Sequence, residues 1–223
     1  MEFSLFENLS GLNAVTWICL AAALVLIVLF VVMLVKARKK GPVQTEAAAP
    51  QVSRTKMLVY AALCVALSFL LSYIKLFTLP QGGSITLASM LPLAFFANRF
   101  GLKKGLLVAA VAGVLQFVQE PFVIHWASPL FDYVFSFAAL GLAGLFPRSL
   151  ATGVLVGAVG RILITVIGGA LFWAMYAPEG MNPWIYSIVY NSLALIPDLI
   201  ICVVIALLPP VNKALARVIP PRA

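Results

Sequence analysis

The chain has 223 residues, of which 63% are hydrophobic and 10% charged, with a formal net charge of +8 and a mean hydropathy of +1.09. A soluble domain of this length cannot bury so much apolar surface, so most of the chain must be solvated by lipid. The basic residues sit in short clusters between apolar runs rather than along one polar face, which excludes nucleic acid as a partner.

Residues 13–35 form the first apolar run, long enough at about 1.5 Å per residue to cross a bilayer. No basic residue precedes it, and Lys36, Arg38, Lys39 and Lys40 follow it. That arrangement predicts a retained anchor with its N-terminus outside, not a cleaved signal peptide. The stretch "GPVQTEAAAPQVSRT" at 41–55 has no periodic apolar face and reads as a flexible linker between this anchor (1–40) and a membrane body (56–223). Within the body, apolar runs predict helices at about 57–77, 86–99, 102–119, 129–146, 149–176 and 184–208. The second and fourth are short for full spans and are expected to be tilted or sheltered by neighbours. "LPQGGS", "NRFG", "EP", "FPRS", "APEGMNP" and "PP" are the turn signals between and after them. The fold class that follows is an all-α integral membrane protein, a six-helix bundle preceded by one extra N-terminal helix.

Charge sets the orientation. The run "KARKK", Arg54 with Lys56, Arg99 with Lys103 and Lys104, Arg148, and Lys213 with Arg217 and Arg222 alternate with loops nearly free of basic residues. Placing these clusters in the cytoplasm leaves only Lys75 and Arg161 of the fifteen basic residues unaccounted for. "TLPQGGSIT", "QEPFVIHWASP" and "YAPEGMNP" then face outward, and the C-terminus is cytoplasmic. Gly153, Gly157 and Gly160 line one side of the fifth body helix and permit close approach of a neighbour. Ala62 and Ala66 make a small-xxx-small pair on the first, suited either to internal packing or to docking of another membrane protein.

Ionisable groups within a bilayer cost roughly 2.5–3.5 kcal/mol at mid-helix, so each one present needs a reason. Arg161 stands mid-helix and is expected to pair with Glu120, Asp132 or Asp198 to neutralise itself. Asp132 and Tyr133 begin the fourth body helix at the depth of Trp173, Tyr186 and Asn191, which flank the turn "WAMYAPEGMNPWIYSIVYN". Interfacial aromatic belts explain the Trp and Tyr residues there, but not the acids and the amide. Aromatic walls around one carboxylate suit a flat, cationic heteroaromatic ligand, through cation–π contact worth about 0.5–2 kcal/mol and direct charge attraction. Catalysis has thin support. His125 is the single His, with Glu120 near it but no metal-binding spacing. Neither a GxSxG nor a Walker A motif is present, so any uphill transport must draw its energy from a partner or an ion gradient. Cys19, Cys64 and Cys202 lie in apolar runs and read as lipid-facing or core thiols. No cofactor or metal is expected.

"GGSITLASMLPLAFFANRFGLKKG", "FDYVFSFAALGLAGLF", "GAVGRILITVIGGALFW" and "YAPEGMNPWIYSIVYN" together resemble the thiamine-specific substrate-binding subunit of energy-coupling factor transporters. The resemblance covers roughly 56–208; the anchor and linker fall outside it. It implies six helices, an outward pocket capped by the loop after the first, and assembly with a transmembrane coupling subunit and two cytoplasmic ATPases. In that scheme the loaded subunit tilts in the cytoplasmic membrane to deliver thiamine inward, and small alanines matching Ala62 and Ala66 touch the coupling subunit. The implied ligand contacts are Trp173, Tyr186, Asn191, the acid–Tyr pair Asp132 and Tyr133, and Phe122 where a Tyr would bring a hydroxyl. Glu120 is added as an acid at the same mouth. A His associated with the site is replaced by Thr165, which leaves a thiamine precursor or another heterocycle such as riboflavin as alternative ligands. An intramembrane enzyme using Glu120, His125 and Asp132, and a structural scaffold with no ligand, are the readings from other classes.

Overall fold

The computed structural model of the chain describes residues 52–219, so the expected anchor and most of the linker, 41–51, lie outside the described residues. Ser53 opens the first helix, α1 (Arg54–Ser72), its hydroxyl accepting from the Lys56 amide at 3.3 Å. The helix ends five residues before the apolar run does. Ile74 and Phe77 favour extended backbone, and "LPQGG" supplies a turn in which Gln81 (φ 60°) and Gly82 (φ 85°) are left-handed. The result is an antiparallel hairpin, β1 (Lys75–Thr78) against β2 (Ser84–Thr86), with Lys75 opposite Thr86 and Thr78 opposite Ser84. The expected helix to 77 followed by a loop is replaced there by this hairpin.

The next helix, α2 (Leu91–Phe100), starts five residues later than its apolar run suggests, because Thr86 and Ser89 are drawn into hydrogen bonds with the distant Asp198. At about 15 Å it is half a bilayer long, and every residue from Pro92 to Phe100 is buried. It is an interior helix wrapped by the others, as its all-round apolar sequence demands. Gly101 (φ 97°) makes the sharp turn into α3 (Leu102–Gln119). The fourth helix, α4 (Leu130–Leu145), is not uniform: a π turn at Leu130–Phe135 passes through one α turn into a 3₁₀ stretch at Ala139–Leu145. The Ser136 hydroxyl bonds back to the Asp132 carbonyl and competes with the regular ladder there.

The long α5 (Leu150–Phe172) is the central span, capped by Ser149. Side chains added at Gly153, Gly157 or Gly160 would meet Ala143, Leu140 or Leu142 of α4, so this stripe serves packing within the chain. Trp173 ends α5, and Ala174–Tyr176 is a separate 3₁₀ turn rather than a continuation. Asn182 and Pro183 start α6 (Pro183–Leu207). "PP" does not end the helical structure: Pro209 takes the first position of a short amphipathic α7 (Pro209–Val218).

Four of these helices, α1, α3, α5 and α6, are long and apolar enough to cross a membrane. Their outer faces show Leu63, Leu67, Leu107, Val118, Ile200 and Val204 to lipid, while Phe96, Leu93, Leu140, Val154 and Cys202 fill the core around α2. The core is solid toward the α2–α3 turn and opens into a cavity at the other end.

Candidate functional site

That cavity has a volume of about 280 Å³, and all seven residues singled out as ligand contacts line it: Glu120, Phe122, Asp132, Tyr133, Trp173, Tyr186 and Asn191. They come from four chain segments that meet at one end of the bundle: the loop after α3, the start of α4, the end of α5 and the start of α6. The wide π turn of α4 lets the consecutive Asp132 and Tyr133 both face the opening. Asp132 Oδ2 accepts a 3.0 Å hydrogen bond from Trp173 Nε1, so the carboxylate is held by the edge of an indole. Phe122 stacks on that indole with centroids 5.0 Å apart and planes at 22°. Tyr176 also packs against the indole, its ring tilted by 37° with centroids 5.7 Å apart.

Polar atoms already engaged narrow what each residue can offer. The Tyr133 hydroxyl donates to the Glu120 carbonyl at 2.6 Å and accepts from the Phe122 amide at 3.2 Å. Tyr133 therefore pins the α3–α4 loop and leaves its ring to the cavity. Glu120 forms a salt bridge with Lys75 of β1. Lys75, out of place in the charge pattern, is thereby explained. Asn191 uses its amide NH₂ on the Ser187 carbonyl at 2.9 Å and the Thr165 carbonyl at 3.4 Å, tying α6 to α5 and keeping its oxygen free to accept. Gly168 and Gly169 allow this: a side chain at either would strike Phe131 and Asp132, or Ser187 and Asn191.

Arg161 departs from expectation. No carboxylate lies within salt-bridge distance; its guanidinium rests on the Phe137 ring, 3.9 Å from the centroid, and faces the cavity. Asp198 is occupied elsewhere, accepting from Thr86 at 2.8 Å and Ser89 at 3.4 Å. His125 stacks on Phe172 and does not line the cavity, which removes it from Asp132 and Glu120 as an acid–base partner. No cluster of three metal-ligating side chains exists among the described residues. Ala62 and Ala66 lie on the exposed side of α1, away from the cavity.

Sequence reasoning missed Tyr190. Its hydroxyl accepts from the Gly83 amide at 2.9 Å and donates to the Pro80 carbonyl, clamping the hairpin tip over the cavity. The i,i+4 spacing of Tyr186 and Tyr190, whose rings lie 5.9 Å apart, was the available signal that both belong to one face.

Residues 58–217 match the family model described as thiamine transporter protein (Thia_YuaJ). The chain belongs to that family. The thiamine transporter ThiT of Bacillus subtilis is 31% identical over 167 residues, spanning 66% of this chain and 86% of that protein. ThiT of Lacticaseibacillus paracasei is 27% identical over 123 residues, 46% of this chain and 61% of that protein. The solved structure of ThiT from Listeria monocytogenes superposes with a TM-score of 0.64 at 21% identity, covering 74% of this chain and 98% of that one, and so has the same fold. These relatives are transporters, not enzymes, and the family places the chain in a membrane as a multi-pass protein.

Proposed function

We propose that this chain binds thiamine in the cavity and delivers it across the cytoplasmic membrane as the substrate-binding subunit of an energy-coupling factor transporter. The observation that carries the ligand assignment is the Asp132 carboxylate held against Trp173 within an aromatic wall. With Glu120 set against Lys75 and Asp198 turned to Thr86 and Ser89, Asp132 is the cavity carboxylate whose charge is left to a ligand, and a planar monocation balances it. Two named thiamine transporters among the relatives support the same ligand.

On this reading, with no Walker A motif in the chain, ATP hydrolysis is supplied in trans, by two cytoplasmic ATPases acting through a transmembrane coupling subunit. The exposed Ala62 and Ala66, flanked by Leu58, Leu63, Leu67 and Leu70, offer that subunit a close-packing apolar face. The basic clusters favour an N-terminus outside and a C-terminus in the cytoplasm.

Titration of the detergent-solubilised protein with thiamine, followed by tryptophan fluorescence, tests the assignment. Saturable quenching is expected, and Trp173→Phe should remove most of it. Silence with thiamine but saturation with riboflavin or a precursor would move the substrate. The hairpin roof gives a second prediction. Tyr190→Phe loses both bonds to the tip, worth about 0.5–1.5 kcal/mol each. Release of bound thiamine should quicken by about 5- to 10-fold in a stopped-flow chase, with a smaller change in the association rate.

A further inference from the structure

Among the described residues, Arg161 is the one cation facing the cavity that neither the charge pattern nor an ion pair explains. It makes no side-chain hydrogen bond among the described residues, and its buried Nε has no partner. Neutralisation alone would be served best by direct contact with Asp198, whose charge acts on it through space. Instead Asp198 is turned to Thr86 and Ser89, and the guanidinium carbon sits over the Phe137 ring, 3.9 Å from its centroid. A guanidinium held over a ring face in this way spends none of its N–H donors on the ring, and Arg161 lines the cavity where a ligand could accept them.

The neighbouring positions leave this task to Arg161. Thr165, one turn further along the same face of α5, spends its hydroxyl on the Arg161 carbonyl at 3.2 Å and the Ile162 carbonyl at 3.0 Å. Asn191 has committed its NH₂ group to α5, as described above, and offers an acceptor only. Asp132 stands beside Gly168, about two helical turns above Arg161, so acid and base meet a ligand at different depths.

We propose that Arg161, stacked on Phe137 and otherwise without a hydrogen-bond partner, is the donor that reads the neutral ring of the ligand. It donates to a ring-nitrogen acceptor of an aminopyrimidine while Asp132 meets the cationic ring. This assignment rests on the thiamine reading and makes Arg161 a specificity residue within it.

The experiment compares the unaltered chain with Arg161→Met and Arg161→Lys, each titrated with thiamine and with two analogues in which one or the other pyrimidine nitrogen is replaced by CH. The unaltered chain should bind one analogue at least about 10-fold more weakly than thiamine. Arg161→Met should weaken thiamine by about 10- to 100-fold yet leave that analogue within about 3-fold, and Arg161→Lys should retain part of the discrimination. Should Arg161→Met not fold, the discrimination by the unaltered chain and its partial retention in Arg161→Lys carry the test. Equal affinity of the unaltered chain for thiamine and both analogues overturns the proposal. So does an equal loss for all three ligands in Arg161→Met, which marks a structural role. Failure of the unaltered chain to bind thiamine at all is a different result: it brings down the thiamine reading itself.

Discussion

Asp132→Asn is expected to weaken thiamine binding by about 30- to 1,000-fold, the largest loss of any single substitution in the cavity. The substitution keeps the shape and can still accept the Trp173 Nε1 hydrogen bond through its amide oxygen, so the indole wall should stay in place. What it removes is the charge. A cation brought out of water into an aromatic cavity recovers its hydration only through a facing carboxylate. Truncating one partner of such a desolvated pair costs about 2–5 kcal/mol. A neutral heterocycle of similar size makes no use of the charge, and its affinity should change by less than about 3-fold. Equilibrium titration of both ligands against parent and variant decides the matter. Equal thiamine affinity in the two proteins would take Asp132 out of the site, and a large loss for both ligands would mean that the wall, not the charge, had been disturbed.

The reason this cavity can hold a single working carboxylate lies in how the remaining charges are placed. Glu120 is bound to Lys75, which arrives from the hairpin, and Asp198 is buried under two hydroxyls from the β2–α2 junction. The hairpin is therefore more than a roof. It neutralises one acid at the rim, hydrogen-bonds another at the floor, and is held at its tip by Tyr190. Opening the cavity by moving the hairpin would disturb all three contacts together, which ties access to the electrostatics of the site.

How much of this was legible in the sequence depended on the range of the interaction. Helix existence followed from apolar runs, and the boundaries of α3 and α6 from Gly101 and from Asn182–Pro183, because those signals are local. The seven cavity residues followed from a family resemblance together with the concentration of acids, amides and aromatics at one membrane depth. The hairpin was missed because Ile74–Thr78 continues an apolar helical run, and only pairing with Ser84–Thr86 makes it a strand. Arg161 was assigned to an acid because charge balance is visible in a sequence while its execution is not. The Asp198 oxygens go to Thr86 and Ser89, more than a hundred residues away, and only the fold brings them there. Tyr190 was hidden by the same distance from Pro80 and Gly83.

Gly141→Ala is expected to destabilise the protein by about 3 kcal/mol and to abolish high-affinity binding, although Gly141 lies outside the cavity. A β-carbon at this position would run into the backbone nitrogen and α-carbon of Leu106 on α3. Backbone cannot rotate aside as a long side chain does, so α3 and α4 would have to separate. Gly113 and Gly144 make equally close contacts with Tyr133 and Leu102 along the same seam, so the strain could not be absorbed at a neighbouring turn. The upper half of α4 carries Asp132, and its register against Trp173 depends on that seam. The temperature at which folded protein is lost, read by size-exclusion in detergent after heating, should fall well below the parent's, and thiamine quenching should vanish with it. Gly180→Ala is the control. Its left-handed φ of 80° costs about 1–2 kcal/mol locally, but nothing lies within 4 Å of the added methyl. Binding should survive there with only a modest loss of stability. If Gly141→Ala behaved like Gly180→Ala, the α3–α4 seam would not be what holds the carboxylate in place.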